Sequence, residues 1–175
     1  MYYYGTGRPD AFALQCANAR LELTSRGLKP TDRLLDIGSG IGNLAIGLAA
    51  DYLTCGYDGL EINPEAVAWC QAAITRRHPH LRFHRADVVS QAYNPAGRVS
   101  GTTFRFPFPD SAFEFVYLGS VFTHMMPADV QQYVDEIARV LAPSGVCIAS
   151  YFLLNPETSS LVAARQSFKS FGVIH

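Results

Sequence analysis

Short apolar runs alternate along this chain with longer segments whose apolar residues recur every three or four positions. The runs at 33–37, 57–62, 81–85, 113–120 and 146–154 read as strands. Each is short and nearly continuous in apolar residues, the pattern of a parallel strand buried on both faces. Between them lie helical patterns. One runs from an Asp10 N-cap to about Arg26, with Phe12, Leu14, Cys16, Ala17, Leu21 and Leu23 on one broad face. Gly27 stops it, and Lys29-Pro30 forms a turn. The segment from Asn43 to Ala50 is a second helix. A third starts at Asn63-Pro64, carries Ala66, Val67, Trp69, Cys70, Ala73 and Ile74, and ends near His78. A strongly amphipathic helix begins at Pro127 or Ala128 and runs through Val130, Tyr133, Val134, Ile137, Val140 and Leu141. Pro143-Ser144-Gly145 turns into the fifth strand, and a last helix spans about 156–171. Strand and helix in alternation predict one α/β domain over 1–175. It is a doubly wound, Rossmann-like parallel sheet of about five strands in the order 3-2-1-4-5, with helices on both faces. Residues 1–28 precede a ligand-binding core at 33–154, and residues 1–9 read as irregular.

Two stretches break the alternation. At the end of the first strand, Leu35-Asp36-Ile37-Gly38-Ser39-Gly40-Ile41-Gly42 places three glycines at alternate positions. That is a tight turn through which backbone approaches a ligand. Residues 89–112 are too long for an ordinary connection and hold three prolines, two glycines and the aromatics Tyr93, Phe104, Phe106 and Phe108. The frequent aromatics favour a packed loop that faces the ligand.

Composition narrows the function. With 175 residues and 49% apolar content the chain buries a real core. A formal net charge of −1 gives no general attraction to nucleic acid or acidic membrane. The four cysteines, Cys16, Cys55, Cys70 and Cys147, form no CxxC pair and read as buried, reduced thiols of a cytoplasmic protein. No secretory leader or membrane-length apolar run is visible, and no His/Cys/Asp spacing supports a metal site. Arg76-Arg77 complements a helix C-terminus.

Ligands of doubly wound sheets bind beyond the carboxyl ends of the strands. The dinucleotide fingerprint needs a third glycine where this chain has Asn43, so a nicotinamide oxidoreductase is disfavoured. Asp36, two residues before the first glycine, suits a cationic ligand better than a pyrophosphate. Over 34–154 the chain resembles the class I S-adenosylmethionine-dependent methyltransferases. Asp36 to Gly42 matches the family's first motif, which implies that Gly38, Ser39 and Gly40 lie against the cofactor's amino acid moiety and that Asp36 contributes to binding its ammonium. Gly59-Leu60-Glu61-Ile62-Asn63-Pro64 matches the second motif, with Glu61 as the ribose-binding acid and Ile62 beside it. Asp58 is the nearby alternative, but only Glu61 fits the frame of acid, apolar residue, N-cap and Pro. Ala86-Asp87-Val88 matches the third motif, implying that Asp87 accepts from the adenine amino group and that the Val88 N–H donates to the ring. Ser120 and Val121, after the fourth strand, would pass near the sulfonium. The stretches Tyr93 to Gly97, Phe106 to Asp110, Ser120 to Met125 and Glu136 to Leu141 are similar to a bacterial subgroup whose members carry generic methyltransferase names.

The resemblance implies S-adenosylmethionine as cofactor and a small-molecule or sugar acceptor. His124 is the candidate general base, with a structural hydrogen-bonding role as its alternative. Tyr93 and Asn94 either line the acceptor pocket or form a turn with Pro95, the turn being favoured. Met125 and Met126 read as packing residues. A non-catalytic binding or scaffold domain is the rival reading. The family fold continues past its fifth strand with two more strands, for which 175 residues leave too little chain. The expectation is therefore an unpaired fifth-strand edge, and either a truncated product or pairing with a second chain there.

Overall fold

The computed structural model describes residues 9–48, 53–54, 56–151, 155–164 and 166. Five parallel strands form one sheet: β1 (Leu34–Ile37), β2 (Tyr57–Glu61), β3 (Leu81–Arg85), β4 (Phe113–Leu118) and β5 (Leu141–Ala149). Their order is β3-β2-β1-β4-β5, as expected. β1 is central. Asp36 lies opposite Gly59 of β2 on one side and Tyr117 of β4 on the other.

Helices α1 (Pro9–Ser25), α2 (Asn43–Leu48), α3 (Pro64–Cys70), α4 (Pro127–Val140) and α5 (Pro156–Ala163) complete the fold. On one face of the sheet, Leu23, Leu44, Leu48, Val67, Cys70 and Ile74 pack over Leu34, Tyr57, Leu81 and Phe115. On the other, Tyr133, Ile137 and Val140 of α4 pack over Leu35, Ile37, Leu60, Val116 and Leu118. The alternation of side chains along β1 explains the split, since Leu34 and Leu35 point to opposite faces.

α3 begins as the sequence says it should. Asn63 caps it, its Oδ1 accepting from the N–H groups of Glu65 and Ala66 at 2.9 and 3.1 Å, and Pro64 follows. The helix continues as a wider π turn over Gln71–Thr75. α1 corrects the expectation of one broad apolar face. Leu14 and Leu21 are 61% and 67% exposed, and Ala17 is exposed, while Cys16 and Leu23 are buried. Asp10 lies within the helix, which starts at Pro9.

The long connection is packed. Phe104 and Phe106 are buried, and Phe106 stacks edge-on to Tyr133 with ring centroids 5.1 Å apart. Arg139 of α4 ties this segment down, donating to the carbonyls of Phe106 and Phe108 at 3.1 and 2.8 Å and to Asp110 at 2.8 Å. Glu136 completes the clasp by accepting the Phe106 N–H at 2.7 Å.

β5 also differs from expectation. It starts at Leu141, before the Pro143-Ser144-Gly145 turn, and its pairing with β4 jumps from Phe113–Leu141 to Phe115–Val146. The intervening residues bulge out, with Ser144 at φ 65°. β5 is a sheet edge, and Val146 and Cys147 on it are exposed, so Cys147 is not the buried thiol expected. Cys16 and Cys70 are buried free thiols. Pro9, expected to be irregular, is helical, and the last helix ends at Ala163, short of the expected 171; residues 1–8, 152–154, 167–171 and Cys55 lie outside the described residues.

Candidate active site

A cavity of about 830 Å³ opens at the carboxyl ends of β1, β2 and β4, where a doubly wound sheet binds its ligand. Glu61 is the acid on its wall at the end of β2. The side chain is buried, and each carboxylate oxygen accepts one backbone N–H: Oε2 from Gly40 and Oε1 from Asn63, both at 2.8 Å. Burial raises its pKa, against the pull of the backbone N–H groups of Asn63, Gly40 and Ile62. Glu61 therefore fastens the glycine turn to the start of α3 and keeps lone pairs for a ligand.

The turn itself is stitched to β2, with Gly38 donating its N–H to the Leu60 carbonyl at 2.7 Å. Gly38 has φ 74°, and a Cβ there would lie 2.5 Å from Val121 Cγ2. Backbone alone thus borders the cavity at this point. Ser120, also left-handed at φ 59°, swings residues 119–121 onto the wall, and its N–H donates to Ser150 Oγ at 2.7 Å.

Of the residues singled out in the sequence, Gly38, Glu61, Ile62, Val88, Ser120, Val121 and His124 line this one cavity. Four do not. Asp36 is 3% exposed and turns to the α1–α3 face, where it accepts the Tyr57 hydroxyl at 2.5 Å. Burial, with a smaller contribution from Glu61, lifts its pKa to about 7, opposed by that hydrogen bond. Asp36, expected beside a cofactor ammonium, thus stands as an interior acid behind the turn. Ser39 is likewise buried behind it. Its Oγ lies near the Tyr57 hydroxyl, but is not aligned for a hydrogen bond and has no other partner. Gly40 has spent its N–H on Glu61, and its carbonyl accepts from Cys70 Sγ at 3.5 Å.

Asp87 also lies apart from the lining residues. Arg98 Nε and Arg85 Nη2 hold its carboxylate at 2.6 and 2.8 Å, outside the cavity. The hydrogen bond from Arg98, helped by Arg85, keeps its pKa below the usual carboxylate range. Asp87 is thus held by two arginines and is not among the residues that line the cavity. Asp58, the alternative ribose acid, does not line the cavity. Burial works to raise its pKa, but His84 at 2.6 Å and Arg82 at 2.9 Å outweigh that and lower it.

The cavity also gathers residues that sequence reasoning placed elsewhere. Tyr93 lines it and meets His124 edge-on, with ring centroids 5.5 Å apart. Asn94 is the turn residue, its Nδ2 donating to the Val88 carbonyl at 2.9 Å. Met125 and Met126 are on the wall, and Met125 also packs against the core beneath α4, as a packing residue would. Asp129 and Tyr133, one turn apart on α4, were legible only as members of an amphipathic helix.

A glycine turn and a ridge acid around a cavity at the strand ends define a nucleoside-cofactor domain of the Rossmann-like class. The chain belongs to the methyltransferase-domain family, whose model matches residues 35–149, and is thus a class I S-adenosylmethionine-dependent methyltransferase domain. It is 27% identical over 175 residues to 27-O-demethylrifamycin SV methyltransferase of Amycolatopsis mediterranei, covering 97% of this chain and 58% of that protein. It is 29% identical over 138 residues to the sterol 24-C-methyltransferase of Schizosaccharomyces pombe, covering 78% of this chain and 32% of that one. The chain thus spans about a third to three-fifths of the length of these curated relatives. Among solved structures, phosphoethanolamine N-methyltransferase 1 of Haemonchus contortus, bound to phosphoethanolamine and S-adenosylhomocysteine, shares the fold. Its TM-score is 0.59 at 13% identity, over 78% of this chain and 26% of that one.

The residues present fit S-adenosylmethionine, the cofactor of this class. The volume lies within the 300–1,000 Å³ typical of such sites, and Glu61 offers two carboxylate oxygens to a diol. Among the described residues no helix is long and apolar enough to cross a membrane.

Proposed function

We propose that this domain binds S-adenosylmethionine in the cavity and catalyses methyl transfer to a small-molecule acceptor. The cofactor supplies a methyl group made electrophilic by a sulfonium. The carrying observation is Glu61, a buried acid on the wall whose position is already held by two backbone N–H groups before any ligand arrives. Ile62, Val88 and Val121 would flank the nucleoside, and Gly38 and Ser120 the amino acid end. The protein's contribution is to align the acceptor with the methyl group and exclude water, an effect of about 7–11 kcal/mol at best. His124, exposed at the cavity beside Tyr93, is placed to take a proton from the acceptor. Small-molecule acceptors are supported by the two relatives, which are named for a sterol and a demethylated rifamycin.

Calorimetry with S-adenosylmethionine on the wild-type chain and Glu61→Ala tests the reading. Losing two charge-assisted hydrogen bonds costs about 2–4 kcal/mol, so affinity falls roughly 30- to 700-fold. Equal affinity in both proteins, or no binding by the wild type, refutes it. Cofactor binding without turnover of any acceptor would favour a scaffold domain instead.

A further inference from the structure

Resting on that reading, we infer that the acceptor is a small-molecule amine that enters as an ammonium, held by Asp129 and Tyr133 of α4. Three observations carry this. First, the acids on the wall are Glu61 and Asp129, and among the described lining residues there is no Lys or Arg. A carboxylate or phosphate acceptor would find two acids and no cationic side chain on that wall, with only the cofactor's own positive charge to meet it.

Second, the far end of the wall holds polar groups without partners. Tyr133 is 4% exposed, its ring wedged against Phe104 and Phe106, yet its hydroxyl makes no hydrogen bond among the described residues and opens onto the cavity. Asp129, four residues earlier on the same helix face, has a half-buried carboxylate with no hydrogen bond or ion pair among them either. The two groups are close enough that Asp129, after burial itself, pushes the Tyr133 phenol up, which keeps Tyr133 a neutral donor and acceptor. Neither group is claimed by another side chain, so a carboxylate and a hydroxyl one turn apart on a cavity wall stand open to a ligand that donates hydrogen bonds.

Third, the surroundings suit a cation with an apolar body. The Tyr93 ring lies on the same wall, an aromatic group of the kind that attracts an ammonium, and Met125 and Met126 supply adaptable apolar contact. The chemistry balances. The ammonium gives one proton to His124. The freed nitrogen lone pair forms the N–C bond as the methyl–sulfur bond breaks, its electron pair going to sulfur. The positive charge then sits on the methylated nitrogen, opposite Asp129, and the thioether product is neutral at sulfur.

The test uses three probes with one skeleton: phenethylamine, phenethyl alcohol and phenylacetate. Each is titrated by calorimetry into the chain saturated with S-adenosylhomocysteine, at pH 7.5. Phenethylamine is expected to bind at least tenfold more tightly than either analogue. Asp129→Asn should weaken it about tenfold while leaving the alcohol and the S-adenosylhomocysteine affinity unchanged, with an unaltered melting temperature. Equal or weaker binding of the amine, including none at all, overturns the inference. So does an Asp129→Asn variant that weakens all three alike, since Asp129 would then serve only the start of α4. Failure of S-adenosylhomocysteine to bind defeats the cofactor reading and this inference with it. Binding of S-adenosylhomocysteine without a preference for the amine defeats this inference alone.

Discussion

Asp36 makes the stability of this domain depend on pH in an unusual direction. Its carboxyl is buried beneath the glycine turn, and its pKa is raised from the ordinary 3.8 to about 7. A raised acid keeps its proton in the folded state when the unfolded chain has already lost it. Stability is therefore full below about pH 4 and falls as pH climbs toward 7, after which the loss is constant. At about 1.4 kcal/mol per unit, the total is about 4 kcal/mol, of which about 2.5 kcal/mol falls between pH 5 and pH 8. Asp36→Asn keeps an oxygen to accept the Tyr57 hydroxyl and removes the titration. Urea denaturation, followed by the fluorescence of Trp69 packed against that core, gives the free energy of each protein at both pH values. The variant should gain about 2.5 kcal/mol on the wild type between pH 5 and pH 8. The other shifted carboxylates, Asp58, Asp87, Glu114 and Glu136, are held low and largely cancel in the comparison. Glu61 is shifted up, but it is present in both proteins. A difference below about 0.5 kcal/mol would mean that the acid is not buried against the Tyr57 hydroxyl, and the reasoning fails.

Gly38→Ala places a methyl 2.5 Å from Val121 Cγ2 at a φ of 74°. It should cost about 1–2 kcal/mol in denaturation and weaken cofactor binding by calorimetry. Arg139→Ala removes the clasp on Phe106, Phe108 and Asp110 and leaves Glu136 unpaired. Stability should drop by about 3 kcal/mol, and limited proteolysis should cut within 104–110 before elsewhere. His124→Ala should lower turnover of an identified acceptor at least tenfold with cofactor affinity unchanged, and normal turnover removes the base assignment.

The first four strands, α3 and α4 could be read nearly to the residue because each rests on local chemistry: apolar runs for buried parallel strands, Asn63-Pro64 for a cap, and a 3.6-residue period for α4. Glu61 was legible for the same reason, since an acid at the end of a parallel strand must stand at the ligand crevice. α1 was legible as a helix but not as a face, because Leu14 and Leu21 follow the period without a layer to bury them.

The partners of the other two acids were not legible. Asp36 and Asp87 have the right spelling and the right strand ends, but a carboxylate's work depends on what stands opposite. Tyr57 claims Asp36 from the neighbouring strand, and Arg98 claims Asp87 from a loop eleven residues on. Tyr133 shows the converse. Along the chain it is one more apolar-face residue of α4, and it reaches the cavity wall with its ring packed on the folded Phe104 to Phe106 segment. Periodicity and turn chemistry are properties of neighbours in sequence, so the chain alone specifies its elements, their order and the glycine turn. The partner of a charged or hydroxyl group comes from a distant segment, and no local pattern carries that information.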